Sequence, residues 1–147
     1  MIVDTKDAKS ERCKRIKRIL LVEDNEINLE IMKSQLTYLG YIVDTALNGK
    51  TALLKYQKKQ YDLVVTDIEM PEMDGYALLE EIRELEDSAE ESTPVFAITA
   101  SEFDLTAERA KSVGFDGFML KPLEVETFER RLADLGCDMP RVSTKPQ

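Results

Sequence analysis

The sequence predicts an α/β fold in which a parallel, five-stranded sheet is covered by helices. Five short apolar runs alternate with stretches of the mixed apolar and polar character found in amphipathic helices. This alternation is typical of repeated βα units, which build parallel sheets. The chain has 147 residues, a length that suits one domain with a substantial hydrophobic core.

Each strand is predicted by a short apolar run. The clearest is the run from Leu63 to Thr66, which has no charged residue and therefore indicates a buried strand ending at Asp67. Similar runs extend from Ile19 to Val22 and from Val95 to Ile98. In chain order, the strands are predicted near residues 18–23, 41–46, 62–67, 94–99 and 116–120.

The helices are predicted from the stretches between these runs, where apolar residues recur at helical spacing. Residues that tolerate a positive φ separate the elements, as glycine and asparagine commonly do. They are Gly40, Gly114 and the pair Asn48-Gly49. In chain order, the helices are predicted near residues 26–39, 49–59, 74–86, 103–113 and 124–135.

Polar side chains follow four of the predicted strands. The apolar run from Ile19 to Val22 is followed by Glu23 and Asp24, and the run from Val95 to Ile98 by Thr99. The third strand ends at Asp67, and the last strand leads to Lys121. Because parallel strands end at one edge of the sheet, we expect these five side chains to meet in a single crevice. Three carboxylates suit a hard divalent cation such as Mg²⁺. The acids after the first strand could instead cap the following helix, since acidic residues favour a helix N-terminus.

This arrangement resembles the receiver domain of two-component signalling proteins over residues 18–135. An acidic pair is followed by an aspartate about 43 residues later, a Thr-Ala pair about 32 further on, and a Lys-Pro pair about 22 beyond that. The strings VEDNEINLEIM, DIEMPEMDGYALL, ITAS and FMLKPL each fit the family. The resemblance implies a doubly wound, flavodoxin-like sheet with the strand order 2-1-3-4-5.

The resemblance also implies a role for each acidic residue. Asp67 would be the phosphoacceptor. Asp24, Asp67 and the main-chain carbonyl of Glu69 would bind Mg²⁺ directly, while Glu23 would act mostly through a metal-bound water. The Glu69 side chain departs from the small or amide residues that are commoner at this position.

The remaining family positions concern binding of the phosphoryl group and its readout. Thr99 and Lys121 would supply a hydroxyl and an ammonium to the phosphoryl oxygens. Phe118 would change rotamer when Thr99 moves, with a fixed core ring as the alternative. The Lys121-Pro122 bond is expected to be cis.

The first predicted helix suggests a partner surface. Its apolar residues cover an arc wider than one sheet face requires, so some should stay exposed. Ile27 and Ile31 lie nearest the carboxylates and are the candidate docking residues. The alternative is that the helix over residues 124–135 covers this extra width through Phe128 and Leu132.

The local strings look most like receivers of hybrid sensor histidine kinases. Such a receiver takes a phosphoryl group from a kinase histidine and passes it to a histidine phosphotransfer domain, so the isolated chain would promote its own phosphorylation. A stand-alone or truncated response regulator and a phosphorylation-independent interaction module remain alternatives. A phosphohydrolase of the haloacid dehalogenase type is a remote one, because that family carries its nucleophile on the first strand.

Composition excludes several other classes of protein. The chain has 29 acidic and 20 basic residues, for a net charge of −9, which repels nucleic acid, so we expect no direct nucleic-acid binding. Cys13 and Cys137 lie near opposite ends and there is no histidine, which gives no zinc site or disulfide framework and favours a cytoplasmic location. No apolar run has the length of a membrane span.

We divide the chain into a basic linker (1–17), a receiver domain (18–135) and a flexible tail (136–147).

Overall fold

The computed structural model describes residues 16–86, 92–100 and 114–136. Every strand and helix predicted within these ranges is confirmed to within one residue at each end. The helix predicted over residues 103–113 lies outside the described residues, as do nearly all of the predicted linker and tail. The elements are β1 (Arg18–Val22), α1 (Glu26–Tyr38), β2 (Ile42–Ala46), α2 (Gly49–Lys58), β3 (Leu63–Asp67), α3 (Gly75–Leu85), β4 (Val95–Thr99), β5 (Gly117–Leu120) and α4 (Val125–Asp134).

The five strands form one parallel sheet in the order β2-β1-β3-β4-β5. This confirms the predicted doubly wound order. Every residue of β3 and β4 is buried, and so is every residue of β1 after Arg18, because these central strands have helices on both faces. The edge strands β2 and β5 are only partly buried.

Each face of the sheet has its own hydrophobic core. Ile19 and Leu21 point to one face and pack with residues of α1 and α4. Leu20 and Val22 point to the other face and pack with residues of α2 and α3. This alternation follows from the two-residue period of a strand. The two cores hold the central strands between helix layers and so determine the position of the strand ends in space.

Short polar side chains begin three of the helices at the carboxyl edge of the sheet. Asn25, Asn48 and Asp74 are the N-caps of α1, α2 and α3, and each side chain accepts a hydrogen bond from the backbone N–H three residues later. The cap of α1 is therefore Asn25, and the alternative that Glu23 and Asp24 serve only as helix caps is wrong. Two to seven residues separate each of these helices from the strand before it.

The described helices are short. They contain 10 to 13 residues, enough to cross the sheet once. Within the described ranges, none combines the length and apolar character that crossing a bilayer would require.

Candidate functional site

The structure brings the predicted site residues to one edge of the sheet. Asp67 and Thr99 are the last residues of β3 and β4, while Glu23 and Lys121 directly follow β1 and β5. In the strand register Asp67 pairs with Ile98, and the next residue, Thr99, pairs with the last residue of β5. Four adjacent strands therefore deliver these side chains to the same crevice.

Three carboxylates form the centre of this edge. Glu23, Asp24 and Asp67 each offer one oxygen, and these oxygens lie within 4.8 Å of one another. Glu23 and Asp67 are buried, whereas Asp24 is exposed and opens the cluster to solvent. Oxygen donors held this closely fit a hard divalent cation that keeps some of its waters.

Lys121 neutralises part of the buried negative charge. Its Nζ lies 2.8 Å from Glu23 Oε1 and 3.0 Å from Asp67 Oδ2. Three carboxylates and one ammonium still leave two uncompensated negative charges at the site. Like charges this close repel one another in a partly dehydrated crevice, so the residual charge favours binding of a cation.

The electrostatic environment shifts two of these groups. Burial raises the pKa of Asp67, and the neighbouring Glu23 adds to this, although the hydrogen bond from Lys121 opposes it. Burial alone would lower the pKa of Lys121, but its hydrogen bonds and charge interactions with Glu23 and Asp67 outweigh that effect and raise it. The ammonium therefore remains charged at neutral pH.

Glu23 has a role that the sequence analysis missed. The resemblance implied contact with a metal-bound water, and the structure adds a direct ion pair with Lys121. Its other oxygen accepts a hydrogen bond of 3.1 Å from the Asn25 N–H. Glu23 is thus held by the backbone on one side and by the ammonium on the other. The spacing along the chain contains no signal for this pair.

The backbone around Asp67 is held by close contacts. The Glu69 N–H donates to Asp67 Oδ1 at 3.3 Å, and the Glu69 side chain is exposed. The Gly75 N–H donates to the Ile68 carbonyl at 2.8 Å. A Cβ at Gly75 would lie 2.6 Å from the Asp67 carbonyl oxygen, so only glycine allows this approach. The sequence analysis did not single out Gly75, because the sequence does not show that this loop packs against the end of β3.

Thr99 and the turn after β5 are linked through the backbone. Thr99 is fully buried, and its carbonyl accepts a 2.8 Å hydrogen bond from the Lys121 N–H. Ala100, which follows it, is exposed at the same edge. The Lys121-Pro122 peptide bond is cis, as predicted.

Phe118 is half-buried on β5, and Arg131 of α4 lies over it. The Arg131 guanidinium carbon lies 5.7 Å from the centre of the Phe118 ring, within the range of a cation–π interaction. Arg131 Nε also donates to the Phe118 carbonyl at 3.1 Å. The sequence analysis did not single out Arg131, since a charged residue on an amphipathic helix is ordinarily solvated.

Two apolar side chains of α1 are exposed as predicted, and Tyr38 at the end of the helix is exposed as well. Ile27 is 72% exposed and Ile31 is 54% exposed. Phe128 and Leu132 of α4 belong to the core that also contains Leu29 of α1. The alternative that α4 covers the extra apolar width is therefore wrong for Ile27 and Ile31.

Comparison with known proteins agrees with this geometry. Residues 19–133 match the family model described as the response regulator receiver domain. The chain belongs to this family. Membership of the receiver domain family leaves the haloacid dehalogenase alternative without support.

The receiver domain is similar to part of longer signalling proteins. It is 39% identical over 128 residues to hybrid signal transduction histidine kinase B of Dictyostelium discoideum; the match covers 81% of this chain but only 6% of that relative. Among solved structures, response regulator TrrA of Thermotoga maritima in complex with Mg²⁺-BeF is 32% identical, with a TM-score of 0.69 over 82% of this chain and 99% of that one. A receiver domain of Saccharomyces cerevisiae Ssk1, solved with the histidine phosphotransfer protein Ypd1, shares the fold at 23% identity, with a TM-score of 0.73 over 83% of this chain and 90% of that one.

Proposed function

We propose that this receiver domain accepts a phosphoryl group from a phosphohistidine onto Asp67. The observation that carries the proposal is the position of Asp67, a buried carboxylate between an ammonium and two further carboxylates at the carboxyl edge of the sheet. Such a site can supply the nucleophile and, around it, the charges that stabilise phosphoryl transfer.

In the proposed step, an oxygen of Asp67 attacks phosphorus in line with the phosphorus–nitrogen bond of the donor. A phosphorus–oxygen bond forms, giving an acyl phosphate, and the electron pair of the broken bond stays on the donor imidazole. Lys121 would pair with one phosphoryl oxygen, and the Thr99 hydroxyl would donate to another. The raised pKa of Lys121 favours this role, because the group is protonated at neutral pH.

Mg²⁺ is the cation that we propose for the carboxylate cluster. Asp24, Asp67 and the main-chain carbonyl of Glu69 would bind it directly, and Glu23 would contact it through water. When bound, it would neutralise the negative charge that builds up between the phosphoryl group and the carboxylates. Two observations support the choice, namely the oxygen-only donor set and the Mg²⁺-BeF named with the similar Thermotoga regulator.

The proposed partner is a histidine kinase or a histidine phosphotransfer domain. Ile27 and Ile31 would form the docking surface, since exposed apolar side chains beside an acceptor suit such contacts. The yeast receiver of the same fold, solved with a histidine phosphotransfer protein, agrees with this partner class.

We propose a cytoplasmic location and an origin in a hybrid histidine kinase, with a stand-alone regulator as the alternative. For the response of the domain to phosphorylation, we propose that Phe118 changes rotamer when Thr99 moves.

The direct test is intact-mass measurement after incubation with Mg²⁺ and acetyl phosphate. We expect the wild-type chain to gain one phosphoryl group, and Asp67→Asn to gain none. Asp74→Asn is the matched control, because asparagine can still cap α3 and the same charge is removed nearby. Asp24→Ala and excess EDTA should each abolish labelling. Labelling that persists in Asp67→Asn would refute the assignment of the acceptor, and labelling that persists in EDTA would refute that of the metal.

A further inference from the structure

Gln35 connects α1 to the turn that follows β5. Its side-chain Nε2 donates a hydrogen bond of 3.0 Å to the carbonyl oxygen of Leu123, which is 88 residues away in the chain. Its Oε1 is buried and has no hydrogen-bond partner among the residues that the structure describes. In the part of the chain that the structure describes, one hydrogen bond therefore orients the amide.

This arrangement has a cost. A buried amide oxygen without a partner is unfavourable by about 1–3 kcal/mol, whereas an apolar side chain of similar size would avoid that penalty. The Nε2 group of the same amide offsets this cost. It provides a donor for the Leu123 carbonyl, which lies before the start of α4 and so accepts none of the hydrogen bonds within that helix.

The carbonyl that Gln35 binds belongs to the turn that carries Lys121. This turn runs through Pro122 to Leu123 and is anchored at three points. The Lys121 N–H donates to the Thr99 carbonyl, the Leu123 side chain is buried in the core beneath α1 and α4, and Gln35 binds the Leu123 carbonyl. These anchors define the backbone position from which the ammonium reaches Glu23 and Asp67.

We propose that Gln35 is a positioning residue for Lys121, an inference that rests on the proposed phosphorylation of Asp67. It acts by keeping the turn close to α1, so that the ammonium lies at the acceptor. Small displacements of a charged group from its productive position are expensive in rate, up to about a hundredfold for 1 Å. The same bond also connects the helix that carries Ile27 to the ammonium.

The test compares the rate of labelling by acetyl phosphate across a range of Mg²⁺ concentrations. Gln35→Met is similar in length but has no donor, and Gln35→Glu keeps the shape but presents an ionised oxygen to the Leu123 carbonyl. We expect the maximal rate to fall at least about fivefold in both variants. The Mg²⁺ concentration for half-maximal rate should not rise, since β1 and β3 carry the carboxylates and a displaced Lys121 ammonium would repel the cation less.

Two control variants separate positioning from general stability. Tyr41→Phe removes another buried oxygen without a partner in the described part of the same core, and Leu135→Ala weakens packing against that core. All variants are assayed at a temperature at which circular dichroism shows them folded, and both controls should keep the wild-type maximal rate. An unchanged maximal rate in the two Gln35 variants would overturn the inference, as would an equal loss in Leu135→Ala. Wild-type protein that is not labelled at Asp67 would refute the proposed function itself, and the inference with it.

Discussion

Replacing Lys121 with methionine should destabilise the fold through electrostatics. The ammonium is 2.8 Å from Glu23 and 3.0 Å from Asp67, and its side chain is only 19% exposed. Methionine keeps most of the apolar length of the side chain but removes the charge. The variant therefore leaves two buried carboxylates facing each other without a cation.

The expected size of the effect has an upper limit. Removing one partner of a buried ion pair typically costs about 3–5 kcal/mol. However, a carboxyl with an ordinary pKa near 4 can take up a proton at pH 7 for about 4 kcal/mol, which caps the penalty. We therefore expect a loss of up to about 4 kcal/mol at pH 7, reduced because burial already raises the pKa of Asp67 in the wild type. At pH 5 the same protonation costs only about 1.5 kcal/mol, so the loss should shrink.

The measurement is urea denaturation followed by circular dichroism, in EDTA, at pH 7 and pH 5. Lys59→Met is the matched control, because Lys59 pairs with Asp44 at 3.6 Å but is 57% exposed, and such surface pairs contribute at most about 1 kcal/mol. Added Mg²⁺ should recover part of the loss in Lys121→Met by supplying positive charge. A loss below about 1 kcal/mol at pH 7, or one that is as large at pH 5, would contradict the electrostatic reasoning.

Four further outcomes can be checked. Asp67→Asn should raise the urea midpoint at pH 7 in EDTA. Burial raises the pKa of this carboxyl in the folded state, so the folded wild-type protein loses stability as pH rises above the unfolded pKa, near 3.8. The gain in the variant should therefore vanish as pH falls below that value. Gly75→Ala should cost about 1–3 kcal/mol in the same assay, since its Cβ would meet the backbone of β3, and a near-zero cost would mean that the loop moves freely. The ring resonances of Phe118 should shift when Mg²⁺ and beryllofluoride are added, and identical spectra would rule out a change of rotamer. Ile27→Glu should slow phosphotransfer from a histidine phosphotransfer protein at least about tenfold while leaving labelling by acetyl phosphate unchanged, and equal loss of both activities would assign the residue to the fold.

Within the described residues, the sequence by itself determined the elements and the edge of the sheet at which the candidate site lies. Apolar runs end at Asp67 and Thr99, and a parallel sheet brings such ends together whatever the details of packing. The width of the apolar arc on α1 likewise predicted the exposure of Ile27 and Ile31, because helical periodicity determines how much of a helix surface a sheet can cover.

Only the tertiary structure decided which groups touch. Three contacts join residues that belong to different strands, helices or turns. They are the ion pair between Glu23 and Lys121, the hydrogen bond from Gln35 to the turn after β5, and the contact of Arg131 with the Phe118 ring. Long side chains have many rotamers, and their partners depend on where neighbouring elements pack in three dimensions. Strand periodicity specifies the face to which a residue points, but the contacts of its terminal atoms are decided only when the helices have packed on the sheet.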